Sequence, residues 1–191
     1  MNTINYKNLA DSQAFYENHG FTIIDTPWYV SKEVKNITAP KDSIDYKLSA
    51  NGKYLVASGE QSFLYLAIKG QLPTGYYQSI TPCFRFEEIN YLHRKAFMKN
   101  ELIYITDDSN MADLHDRLSK IIEIARTFFS EKLKTDKIHT KTCNHINSVR
   151  GYDLTYNGIE LGSYGIRTYN NLNWVYATGC AEPRLSVLQK I

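Results

Sequence analysis

Long apolar runs are missing from this chain of 191 residues. No stretch approaches the roughly 20 consecutive apolar residues of a membrane-spanning helix, and the opening MNTINYKNLADSQ lacks the apolar centre of a secretory leader. Cysteine is scarce. Cys83, Cys143 and Cys180 are the three copies, too few and too unevenly spaced for a disulfide framework, so a reducing, cytoplasmic setting is the expectation. An excess of either charge is also missing. Twenty-two basic and 20 acidic residues leave a formal net charge of +2, and no Lys/Arg run marks an electrostatic footprint for nucleic acid.

What is present is a globular composition, 43% hydrophobic and 22% charged, long enough for one domain with a buried core. Asp11 or Ser12 can cap a helix over 12–20 that Gly20 ends. FTIIDTP (21–27) then reads as a strand stopped by Pro27. Residues 31–51 read as loop. Residues 54–56 form a short strand, and 61–68 a helix closed by Gly70. Glu60 sits at that helix start, where a carboxylate complements the dipole.

Asp107 to Asn110 are helix-start residues, and the 111–134 stretch carries the clearest amphipathic stripe in the chain, with His115 on its surface side. Residues 134–141 read as linker or edge strand. Cys143 and His145 are two potential metal ligands with no third at a recognisable spacing. Asn157-Gly158 between two strand-like runs predicts a hairpin. The last stretch, NWVYATGCAEPRLSVLQKI, predicts a strand, a bend at Gly179, and a helix opened by Arg184 that aims a cation at a phosphate.

The chain centres on 81–101, TPCFRFEEINYLHRKAFMKNE. Its first half alternates as a strand, with Arg85 and Glu87 pointing the same way. A polar loop follows, and then AFMKNELIYI, a second strand carrying Phe97 and Glu101. An antiparallel pair would gather Arg85, Glu87, His93, Phe97 and Glu101 around one concavity: a cation for phosphate, an aromatic face for a flat base, carboxylates for amines. An amphipathic hairpin with a solvated charged face is the simpler alternative for these residues taken alone.

Phe-Arg-x-Glu, loop, then His/Arg-x-x-x-Phe-x-x-x-Glu resembles the second signature motif of class II aminoacyl-tRNA synthetases, and TPCFR-x-E is most similar to the seryl enzymes. Helix, glycine and a strand closing on Pro27 resemble the first motif, which builds the homodimer contact. GCAEPR at 179–184 resembles the third.

The resemblance implies an α+β fold, an antiparallel sheet flanked by helices, with residues 1–191 as one catalytic domain lacking a tRNA-binding appendage. It implies that Arg85 holds the α-phosphate of ATP, Glu87 faces the adenine amino group, Phe97 stacks on the adenine, and His93 or Arg94 contacts the γ-phosphate with Arg184. Ser58-Gly59-Glu60 stands where seryl enzymes have Thr-x-Glu, so Ser58, Glu60 and Glu101 would meet the amino acid's ammonium group. Glu160 and Ser163 would ligate Mg²⁺. Tyr176 occupies a place where seryl enzymes tend to have asparagine, which leaves the amino acid open.

Some relatives bind Zn²⁺ through a cysteine, a carboxylate and a third ligand, and Cys83, Glu101 and Cys180 stand at or near those places. The implied reaction is ATP-dependent activation of an amino acid to its adenylate, with tRNA or a carrier protein as possible acceptor. The competing reading is a non-catalytic paralog, a nucleotide- or RNA-binding module.

Overall fold

The structure, a computed structural model, describes residues 3–191. It begins with α1 (Tyr6–Glu17) and β1 (Thr22–Ile23), then β2 (Tyr29–Val30), α2 (Lys32–Asn36), β3 (Tyr54–Leu55) and α3 (Gly59–Ile68). The central hairpin is β4 (Gly75–Phe84) and β5 (Ala96–Thr106), followed by α4 (Met111–Leu133). The strands β6 (His139–Thr142), β7 (Arg150–Tyr156), β8 (Ile159–Tyr169) and β9 (Leu172–Glu182) lead to α5 (Arg184–Leu188). Seven strands form one sheet in the order β1-β4-β5-β9-β8-β7-β6. All pairings are antiparallel except that of β1 with β4, and β2 and β3 form a separate small ladder. This is the predicted antiparallel sheet flanked by helices.

The sheet is buried on both faces, and β5 shows how. Leu102 and Tyr104 join the cluster built on α1 and α4, with Leu118, Ile121 and Phe128. Their neighbours Ile103 and Ile105 join the opposite cluster, with Val34, Phe63, Leu64 and Trp174. That alternation is the period-2 geometry of a strand covered on two sides. The hairpin turn at Asn157 (φ 50°) and Gly158 (φ 75°) has both central residues in the left-handed region, as Asn-Gly predicts.

Several local expectations are corrected. The first helix starts at Tyr6, because the Asn5 side chain accepts from the backbone N–H of Lys7 (3.1 Å) and Asn8 (3.4 Å). Asp11 is not a cap; it is paired with Lys132 of α4 at 2.6 Å. The strand expected over 21–27 shrinks to Thr22–Ile23. Beyond it, Ile24 N–H still donates to Gln78, and the Pro27 carbonyl accepts from the Ser62 hydroxyl at 2.6 Å.

Within 31–51 a short helix appears, α2, capped by Ser31 and anchored by buried Val34 and Lys35, the latter ion-paired with Asp45. The last strand does not end at Gly179 but runs on to Glu182, and the bend expected there is a bulge. Thr178 and Cys180 pair with Glu101 and Asn100, so Gly179 is the extra residue of a β-bulge. A Cβ there would lie 2.9 Å from the Tyr16 ring.

Candidate active site

On the α3 side, the sheet floors a cavity of about 980 Å³ whose lining includes every residue that the sequence assigned to ATP, the amino acid or Mg²⁺. The β4–β5 hairpin supplies one wall. Pairing continues past β4, with Arg85 N–H donating to the Lys95 carbonyl at 2.9 Å. Arg85 Nε donates to the Ala57 carbonyl at 2.9 Å, and the guanidinium carbon lies 5.2 Å from the centroid of the Phe97 ring. Glu87 lies on the same side, 3.5 Å from Arg85 Nη1, as the alternation predicts. In the connecting loop the Asn90 side chain accepts from the N–H groups of Leu92 and His93, both at 2.8 Å, which orders the segment carrying His93 and Arg94.

The far wall comes from the last third of the chain. Arg184, first residue of α5, donates from Nη1 to Glu160 Oε1 at 2.8 Å. The Ser163 hydroxyl donates to the same oxygen at 3.2 Å. A carboxylate and a hydroxyl meeting at a cavity wall are hard oxygen donors, and that chemistry fits Mg²⁺.

The buried end of the cavity departs from expectation. Glu60 is 5% exposed, and Arg167 Nη1 reaches its two oxygens at 2.6 and 2.5 Å while Trp174 Nε1 donates at 2.6 Å. Burial alone would lower the Arg167 pKa, but the Glu60 carboxylate outweighs it and the guanidinium is held above its ordinary value. Glu101 is held separately: Lys99 Nζ stands 2.5 Å from Oε2, and the Ser58 hydroxyl, which also caps α3, bonds Oε1. The two carboxylates are therefore not a pair awaiting one cation; each has its own.

Arg167, Trp174 and Lys99 were missed, although strand period alone points to them. Lys99 lies between Phe97 and Glu101, Trp174 two residues before Tyr176, and Arg167 four beyond Ser163, all on inward faces. Between Ser163 and Arg167, Gly165 leaves room for Tyr176, whose hydroxyl would lie 2.3 Å from a Cβ there. That hydroxyl bonds His145 Nδ1 at 2.6 Å and Ser148 Oγ at 2.9 Å, and burial pushes the phenol up to about 12.

The zinc set of Cys83, Glu101 and Cys180 does not form. Cys83 and Glu101 lie on the cavity side, where burial pushes the Cys83 thiol up to about 11. Cys180 points through the other face into the α1–α4 core.

This architecture is similar to known crystal structures over almost its whole length. The cytoplasmic serine-tRNA ligase of Naegleria fowleri, in complex with AMP, superposes with a TM-score of 0.73 at 20% identity, covering 95% of this chain and 47% of that one. The fold is that of a class II aminoacyl-tRNA synthetase core. The pyrrolysyl-tRNA synthetase of Desulfitobacterium hafniense matches with a TM-score of 0.74 at 15% identity, over 97% of this chain and 69% of that one. The seryl-tRNA synthetase of Pyrococcus horikoshii complexed with ATP gives 0.72 at 16% identity, over 93% and 48%. The chain thus spans about half the length of the seryl synthetases it matches. No protein-family model matches it, and neither does any curated protein. Among the described residues, no helix of this synthetase-like core is long and apolar enough to cross a membrane.

Proposed function

We propose that the chain is a cytoplasmic ligase, its 191 residues acting as one catalytic domain, that uses ATP to activate an amino acid or related carboxylate as an adenylate. One observation carries this reading. Arg85 and Arg184, far apart in sequence, line the same cavity together with an aromatic face and a hard-oxygen pair.

In the reaction, a substrate carboxylate oxygen attacks the α-phosphorus and the bond to pyrophosphate breaks. Negative charge builds on the phosphoryl oxygens, so the protein's task is positioning and electrostatic stabilisation. Arg85, pinned by the Ala57 carbonyl, acts on the α-phosphate. Phe97 and Glu87 receive the adenine ring and its amino group. Arg184, with His93 and Arg94, takes the β- and γ-phosphates. Glu160 and Ser163 would hold Mg²⁺, which would supply countercharge to those phosphates. Ser58 and Glu101 meet the substrate's ammonium group, the Tyr176 ring bounds its side chain, and Glu60 acts indirectly by fixing Arg167. Acceptor transfer, to tRNA or a carrier protein, would follow. Homodimerisation through α1, β1 and the Pro27 segment is part of the same proposal, and sedimentation at micromolar protein tests it.

The two buried carboxylates each being neutralised from within the chain favours a second reading, a nucleotide-binding module that no longer takes an amino acid. ATP–pyrophosphate exchange screened across the amino acids separates the two. Exchange with one amino acid supports the ligase and names its substrate. ATP binding by calorimetry with no exchange for any amino acid overturns it in favour of the module.

A further inference from the structure

Beside the cavity lies a second group of ligand-type side chains that the proposed ATP chemistry does not use. Cys143 Sγ donates to Asp153 Oδ2 at 2.8 Å, and His145 Nε2 lies 2.9 Å from Asp153 Oδ1. The ligand atoms of all three residues fall within 4.8 Å of one another, a grouping with no second example among the described residues. We propose that Cys143, His145 and Asp153 bind a transition-metal ion of the zinc class, at a site that adjoins the hard-oxygen pair Glu160 and Ser163 but takes no ligand from it. The proposal stands whether or not the chain forms an adenylate.

Backbone geometry builds this group. Cys143 N–H donates to the Gly151 carbonyl at 3.0 Å, carrying the edge pairing of β6 with β7 one step past Thr142. The loop then turns at Asn147 (φ 55°) and lies directly on β7. Gly151 permits that approach: a Cβ there would be 2.6 Å from the Cys143 carbonyl and 2.8 Å from His145 Nδ1. Asp153 enters from β7, two residues beyond Gly151 and opposite Ser163 of β8.

The histidine is also oriented as a metal ligand requires. Its Nδ1 is bonded to the Tyr176 hydroxyl at 2.6 Å, which in turn meets Ser148 Oγ at 2.9 Å. Holding one ring nitrogen by an outer hydrogen bond fixes the ring and leaves the other for the ion. On binding, the thiol releases its proton and ligates as thiolate. The imidazole stays neutral, carrying its proton on Nδ1 toward Tyr176 and giving the Nε2 lone pair to the metal.

Thiolate with imidazole selects zinc over magnesium, and three protein ligands leave the fourth tetrahedral position to water. Bonds of about 2.0–2.3 Å put neighbouring ligand atoms roughly 3.5 Å apart, so the two contacts of Asp153, at 2.8 and 2.9 Å, need to open by less than about 1 Å.

The test uses the full chain, stripped with chelator, reduced, and titrated with Co²⁺ and Zn²⁺. Co²⁺ should bind at one equivalent with intense tetrahedral d–d bands and a thiolate-to-cobalt charge-transfer band. Zn²⁺ should bleach those bands, raise the thermal midpoint and protect Cys143 from alkylation. Cys143→Ser should lose the charge-transfer band, and Asp153→Asn should weaken binding at least ten-fold. His145→Gln, read by the same titration with circular dichroism for folding, provides a second variant. A charge-transfer band that survives in Cys143→Ser, or only weak six-coordinate cobalt spectra in the wild type, overturns the proposal.

Discussion

Glu160 and Ser163 are three residues apart in one strand, yet they share a face, with the Ser163 hydroxyl 3.2 Å from Glu160 Oε1. In a regular strand, residues i and i+3 point to opposite sides. The register explains the exception. Leu154 pairs with Gly162 and Thr155 with Glu160, so Leu161 is the extra residue of a bulge that turns Glu160 back toward the cavity. Arg184 completes the group from the start of α5.

This group predicts how its variants separate. Glu160→Gln should raise the magnesium concentration for half-maximal pyrophosphate exchange by about ten-fold or more, the range for disturbing a metal site. Arg184→Ala and Arg85→Ala should each lower kcat/KM by roughly 10²–10³, the scale of one lost preorganised donor. The Arg184–Glu160 contact is partly exposed, so denaturation of Arg184→Ala should shift by less than about 1 kcal/mol. Steady-state exchange kinetics at varied Mg²⁺ and urea titrations read these outcomes. Wild-type exchange in Arg85→Ala would refute its assignment to the α-phosphate.

Glu60 should behave as a folding residue. Its carboxylate compensates Arg167 and accepts from the Trp174 indole in a buried site. Glu60→Ala leaves that guanidinium uncompensated and should cost about 3–5 kcal/mol, the range for breaking a buried ion pair. Chemical denaturation monitored by Trp174 fluorescence measures it.

Asp11 links α1 to α4 through Lys132 at 2.6 Å, and this hydrogen bond holds its carboxyl below the ordinary value of 3.8. A depressed folded-state pKa stabilises the fold above the unfolded value, and that stabilisation is lost as pH falls through the folded value. Asp11→Asn should therefore be less stable than wild type by about 0.2–1 kcal/mol at neutral pH. The two should converge in acid, below the ordinary carboxyl range. Urea midpoints at a series of pH values test the sign.

Thiol chemistry should distinguish the three cysteines. Cys83 and Cys180 are fully buried, and burial pushes both thiols up, the first to about 11. Only Cys143 is partly accessible. In the metal-free native protein a maleimide should label Cys143 alone, and all three after denaturation, as counted by mass spectrometry.

The sequence alone carried much of what depends on local spacing, though not the Asn5 and Ser31 caps or the inward-facing Lys99, Arg167 and Trp174. The amphipathic stripe of α4, the Asn157-Gly158 turn, and the placement of Arg85, Glu87 and Phe97 on one hairpin all follow from periods of 3.6 and 2. Local order also put Arg184 at the start of the last helix. Tertiary structure decided what depends on partners distant in the chain. Glu60 could be read as a helix-start carboxylate or a substrate ligand until Arg167 and Trp174, more than a hundred residues later, were seen to hold it. Cys143 and His145 lacked a third ligand until strand pairing brought Asp153 between them. The bulges at Leu161 and Gly179, which decide the facing of Glu160 and the last strand, are register events between strands. Neighbours in sequence reveal a period, but only hydrogen-bonded pairing across the sheet reveals where that period slips.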